Sequence, residues 1–143
     1  SELDALQTTL AAEHAAVFVY GALGGRTSLA ASPVLHDAVS SAYVAHRARR
    51  DMLTRSILDL EAEPVAAESA YALPARLDSP GDIERAALDL ERSCAATYAY
   101  LVANTVAAQR RMAIAALNEG AVRELVFRGT PETFPGLDEY TDR

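Results

Sequence analysis

The chain has no tryptophan and no lysine, a single cysteine, and only seven glycines and six prolines among its 143 residues. Each scarcity excludes something. The lone Cys94 cannot form an internal disulfide, and such cysteine usage fits a reducing, cytoplasmic setting. Few glycines and prolines, gathered outside the periodic segments, leave long helices open to the chain. No apolar run reaches the ~18 residues that a membrane-spanning helix needs. All 13 basic residues are arginine, against 20 acidic ones, and the formal charge of −7 argues against binding nucleic acid nonspecifically or docking on an anionic membrane. The N-terminus lacks the regions of a signal peptide, as a processed chain also would. No phosphate loop, nucleophile elbow or Ser/His/Asp order is discernible, and no strand precedes the glycines of "GALGGR".

What is present is alanine, the commonest residue with 30 copies, in a chain that is half hydrophobic. Alanine is the best helix former and fills little volume, so the composition predicts closely approaching helices in one all-α domain spanning 1–143. Leu3, Leu6, Leu10, Glu13, Val17 and Tyr20 recur at helical spacing and predict a first helix from about Glu2 to Leu23, ended by Gly24 and Gly25. Ser32-Pro33 opens a second, running to about Ala62 with Leu35, Val39, Ala42, His46, Leu53, Ile57 and Leu60 inward. A third begins at "SPGDIE", with Ser79 and Asp82 as rival caps, and turns Ile83, Ala87, Leu90, Cys94, Thr97 and Leu101 inward. After a turn at Asn104-Thr105, a fourth runs to Gly129 with Ile114, Leu117, Ala121 and Leu125 as its inner stripe. Outward charges at i,i+4 spacing, including Arg47–Asp51, Arg85–Asp89 and Glu119–Arg123, mark solvated faces.

Connection lengths set the topology. Short links make helices 1–2 and 3–4 antiparallel neighbours. The twenty-residue stretch "AEPVAAESAYALPARLDSPG" can reach ~66 Å when extended, far enough to cross the whole bundle. The expectation is therefore a ferritin-like antiparallel four-helix bundle with a long crossover between helices 2 and 3. Residues 130–143 form an extended tail whose Phe134, Leu137 and Tyr140 either lie back on the bundle or embrace a second subunit.

In such bundles a dinuclear iron or manganese centre takes a Glu from each of two helices and a Glu-x-x-His from each of the others. Glu13 and His46 sit mid-helix on inner stripes, and Glu91 lies at the edge of one. Tyr43 stands where the Glu before His46 would be, and the middle of helix 4, "MAIAALNEG", has no histidine. Glu13, His46 and Glu91 are thus the candidate metal ligands of a reduced set, open to Fe, Mn or Zn at most as a vestigial or single-ion site. The other reading is a buried polar network of Glu13, His46, Arg49 and Arg50, because an ionised carboxylate in a dry core needs a partner. Cys94 reads as an inert core thiol, His14 as a packed or surface residue at a helix–helix seam near Phe18, and Tyr20, Tyr43, Tyr98 and Tyr100 as core aromatics.

The stretches "LAAEHAAVFVYG", "AHRARRDML", "AYALP" and "FPGL", in that order, resemble a bacterial ferritin-like family, domain of unknown function 4439. The resemblance spans nearly the whole chain. It implies a four-helix ferritin-like fold paired into homodimers, and no established reaction. Three functions remain as expectations: a non-catalytic dimeric binding or structural module that takes a protein partner; a metal-binding oxidoreductase on Glu13, His46 and Glu91; and a small-molecule binder with a pocket between helices.

Overall fold

A computed structural model describes residues 1–128. It contains four helices, α1 (Glu2–Gly25), α2 (Pro33–Asp59), α3 (Pro80–Asn104) and α4 (Ala107–Arg128), and no strand among the described residues. The tail falls outside them.

Local chemistry explains the boundaries. The rival caps of α3 act together: the Ser79 hydroxyl accepts from the Asp82 amide while the Asp82 carboxylate reaches back to the Ser79 amide. At the far end of α2, Ala62 N–H bonds to Ile57 C=O and Glu61 N–H to Leu58 C=O, with Glu61 at φ 57°. That is a Schellman ending, here built on glutamate instead of glycine. It stops the helix at Asp59, three residues short of the expected Ala62.

α1 pairs antiparallel with α2, and α3 with α4. Tyr20 meets Glu91 while Tyr98 meets Glu13, so α1 and α3 are antiparallel as well. The 60–79 segment connects the two hairpins by running along α1. Gln7 binds Glu63 C=O and Val65 N–H through its amide, His14 meets Val65 C=O at 3.0 Å, and Phe18 packs on Tyr71 at 5.5 Å between ring centroids. Leu77 then packs against the core beside the start of α3. The segment thus travels the bundle and leaves α2 and α3 parallel. His14 is a clamp on this crossover, not a residue of a helix–helix seam.

Two apolar clusters fill the ends of the bundle. One gathers Leu6, Leu10, Leu53, Ile57, Tyr98 and Leu101; the other gathers Tyr20, Leu23, Val39, Ile83 and Ala87. The polar residues of the next subsection lie between them. The inner face of α4 differs from its expected stripe by one position. Ala113, Ala116, Gly120 and Glu124 are buried, while Ile114 and Leu125 are exposed. Larger residues gave the stronger periodic signal, but the small ones let α4 approach α3.

Candidate polar centre

Glu13, His46 and Glu91 converge at the middle of the bundle, and each is fully buried. The imidazole lies between the carboxylates. Its Nδ1 faces Glu13 Oε2 at 2.5 Å and its Nε2 faces Glu91 Oε1 at 2.9 Å. With both ring nitrogens against carboxylate oxygens, the imidazolium is the form that donates on both sides. Burial alone would strip its proton, but hydrogen bonds and charge from Glu13 and Glu91 prevail and hold its pKa above the ordinary value. Burial likewise opposes ionisation of Glu91, yet His46, Arg123 and Tyr20 bring its carboxyl below the usual range.

Two tyrosines close the centre. Tyr20 OH donates to Glu91 Oε1 and Tyr98 OH to Glu13 Oε1, both at 2.7 Å. The Tyr20 ring also stacks on His46, with centroids 5.2 Å apart. Burial, then the neighbouring carboxylate, pushes both phenol pKa values well up, so these hydroxyls stay donors. Burial has the same effect on the Cys94 thiol.

Arginines bound the cluster on either side. Arg123 Nε donates to Glu91 Oε1 at 3.1 Å. Arg49 does not reach Glu13: it donates to Ala116 C=O and Glu119, bridging α2 to α4, with its guanidinium 5.2 Å from the Tyr98 ring centroid. Arg50 is corrected outright, because it turns to Asp51 at 2.8 Å on the surface. Positions 49 and 50 both lie within a turn of His46, and contact with α4 selects the former. The expected surface pair Glu119–Arg123 is replaced too, since Arg123 points inward and Glu119 meets Arg49. Arg85 pairs with Asp82.

Tyr20, Tyr98 and Arg123 are members that sequence reasoning missed as polar partners. A signal for them exists. The pattern Glu-x6-Tyr occurs twice, at Glu13/Tyr20 and Glu91/Tyr98, and Arg follows three residues after both His46 and Gly120. The second hairpin therefore repeats the inner positions of the first, with glycine in place of histidine. Glu91, expected at the edge of a stripe, is central.

Donor atoms of Glu13, His46 and Cys94 lie within 4.8 Å of one another, which makes them the metal-capable group among the described residues. An apolar cleft of about 340 Å³, between α1 and α2, is lined by Tyr20, Gly21, Gly24, Val39, Tyr43 and Val44. Tyr20, which lines it, also stacks on His46. Among the described residues, no helix is long and apolar enough to cross a membrane.

A family model described as a domain of unknown function (DUF4439) matches residues 5–139. A crystal structure of a conserved hypothetical protein from Mycobacterium tuberculosis is similar, with a TM-score of 0.80 and 28% identity, over 88% of this chain and 93% of that one. No curated protein matches.

Proposed function

The chain belongs to the family of the domain of unknown function 4439, and on that premise we propose that it is a ferritin-like bundle whose metal centre has been replaced by a self-neutralised charge cluster. It serves as a non-catalytic, cytoplasmic binding or structural module that pairs into a homodimer. One crossover between parallel α2 and α3 supports the ferritin-like assignment. The observation that carries the functional reading is the position of His46, with one ring nitrogen on each of two fully buried carboxylates. Together with Arg123 it supplies two positive charges against two negative ones.

The donor set fits a dinuclear centre poorly. Both imidazole nitrogens are engaged by carboxylates, and level with His46 α4 offers Gly120 and a guanidinium and no imidazole, its buried Glu124 standing one turn further on. A dication beside Arg123 would be repelled. Support for pairing comes from α4, whose Ile114, Val122, Leu125 and Val126 are exposed apolar residues.

The test is metal content of untagged protein after incubation with Fe(II), Mn(II) and Zn(II), with melting followed in chelator. The expected result is no stoichiometric ion and an unchanged Tm. One or more ions per chain, lost in His46→Ala, would overturn the reading. A second reading rests on the Glu13–His46–Cys94 group: a carboxylate oxygen, a deprotonated imidazole nitrogen and a thiolate there would hold a thiophilic dication. Cobalt(II) absorption that requires Cys94 would establish it.

A further inference from the structure

The two central carboxylates are served unequally. Glu13 accepts from Tyr98 on Oε1 and from His46 on Oε2. Glu91 gathers His46, Tyr20 and Arg123 on Oε1 alone, while its Oε2, fully buried, has no hydrogen-bond partner among the described residues. On Arg123, Nη2 is also buried without a hydrogen-bond partner among them. A guanidinium with Nε on one carboxylate oxygen commonly sets a second N–H on the other. Here three donors crowd Oε1, and the second bond is not made.

The bare oxygen faces a missing side chain. A Cβ built on Gly120 would lie 3.9 Å from Glu91 Oε2, and among the described residues nothing beyond the helix's own backbone and the two flanking residues comes nearer to that point. Gly120 occupies in α4 the place that His46 holds in α2. Buried acceptors and donors left dry are rare in folded proteins because each is costly.

We propose that one buried water molecule binds beside Gly120, donating to Glu91 Oε2 and accepting from Arg123 Nη2. The two neighbours select its chemistry. A cation would meet the guanidinium, an anion would meet the carboxylate, and an apolar guest would satisfy neither. A neutral molecule that both donates and accepts is required, and water is the smallest that does both. Glycine at position 120 leaves no Cβ in front of Oε2. This inference rests on the charge-cluster reading above.

Two measurements test it: a high-resolution crystal structure, and oxygen-17 relaxation counts of long-lived waters in the wild type and in Gly120→Ala. The expected density is one water within hydrogen-bonding distance of both atoms, with one fewer long-lived water in the variant. The added Cβ makes only ordinary contact, so the variant folds. Its Tm should fall, whereas Gly→Ala inside a helix with nothing to displace would raise Tm by about 3 °C at this chain length. A direct Nη2–Oε2 pair, an unchanged water count or a raised Tm overturns the proposal. A metal ion at the same place would overturn the charge-cluster reading as well, whereas a direct arginine–glutamate pair would overturn this inference alone.

Discussion

The α1–α2 and α3–α4 hairpins carry one inner plan in two versions. Ala5, Glu13, Ala16, Tyr20 and Leu23 of α1 stand at the same interval from Ile83, Glu91, Cys94, Tyr98 and Leu101 of α3, and all ten are buried. Val39, Ala42, His46 and Arg49 of α2 likewise correspond to Ala113, Ala116, Gly120 and Arg123 of α4. The tyrosines cross over, each hairpin's phenol serving the other's carboxylate. Where the versions differ, the chemistry differs. The first hairpin supplies the imidazolium, and the second supplies glycine and brings its arginine inward. A symmetric scaffold thus holds an asymmetric centre. A single cation placed between two carboxylates can serve both, and a second imidazole would compete for the same oxygens.

Removing a carboxylate tests the comparison most severely. Breaking a buried ion pair costs about 3–5 kcal/mol, a Tm loss on the order of 10 °C at this length. Glu13→Ala and Glu91→Ala should both reach that range, with Glu91→Ala the worse because it strands His46, Tyr20 and Arg123 together. Thermal melts that leave Glu13→Ala indistinguishable from wild type would remove the charge cluster from the account of stability.

The pH dependence has two limbs. The raised His46 pKa means its contribution is complete below its unfolded value near 6.5 and is lost as pH climbs through the folded one. The lowered Glu91 pKa works in the opposite sense: its contribution is complete above about 4.5 and disappears as pH falls through the folded value. Denaturant titrations should therefore give greatest stability between these limits. His46→Gln should flatten the alkaline limb and weaken the acid limb as well, because His46 supplies the largest of the interactions that lower the Glu91 pKa.

The tyrosines compare the halves directly. A hydrogen bond to a charged group contributes about 1.5–3 kcal/mol. Tyr98→Phe should cost the larger share of that range, because Glu13 Oε1 then has no other donor among the described residues, while Glu91 Oε1 keeps two after Tyr20→Phe. Equal Tm losses would show that crowding on Oε1 has no energetic consequence. The smallest expected effect lies away from the centre. Glu61 holds a left-handed conformation at the end of α2, so Glu61→Gly should stabilise by about 1 kcal/mol in chemical denaturation.

Much of this was legible beforehand, and the particulars show why. Helical period, proline-led starts and link lengths are one-dimensional quantities, so the helices, the antiparallel pairing and the traverse of the crossover could be read from residue order. Glu13 and His46 were visible because polar residues in mid-stripe conflict with burial. The inward face of α4 was not. Its stripe of larger residues, Ile114 and Leu125, outweighed Ala113 and Ala116 in any reading by hydrophobicity, yet close helix approach favours the smaller atoms.

By itself, then, the sequence determined that this chain builds long helices, where they begin and turn, and that a carboxylate and an imidazole enter the core. These follow from local conformational preference and the solvent cost of apolar surface. Which cation meets which carboxylate was decided only in the tertiary structure. Arg49 and Arg50 are chemically the same and one residue apart, but α4 packs where only Arg49 can reach it. Arg123 is drawn inward by Glu91 from a helix separated from it by a turn. Partner choice in a low-dielectric core depends on distances of a few ångströms, and those exist only once the helices are packed.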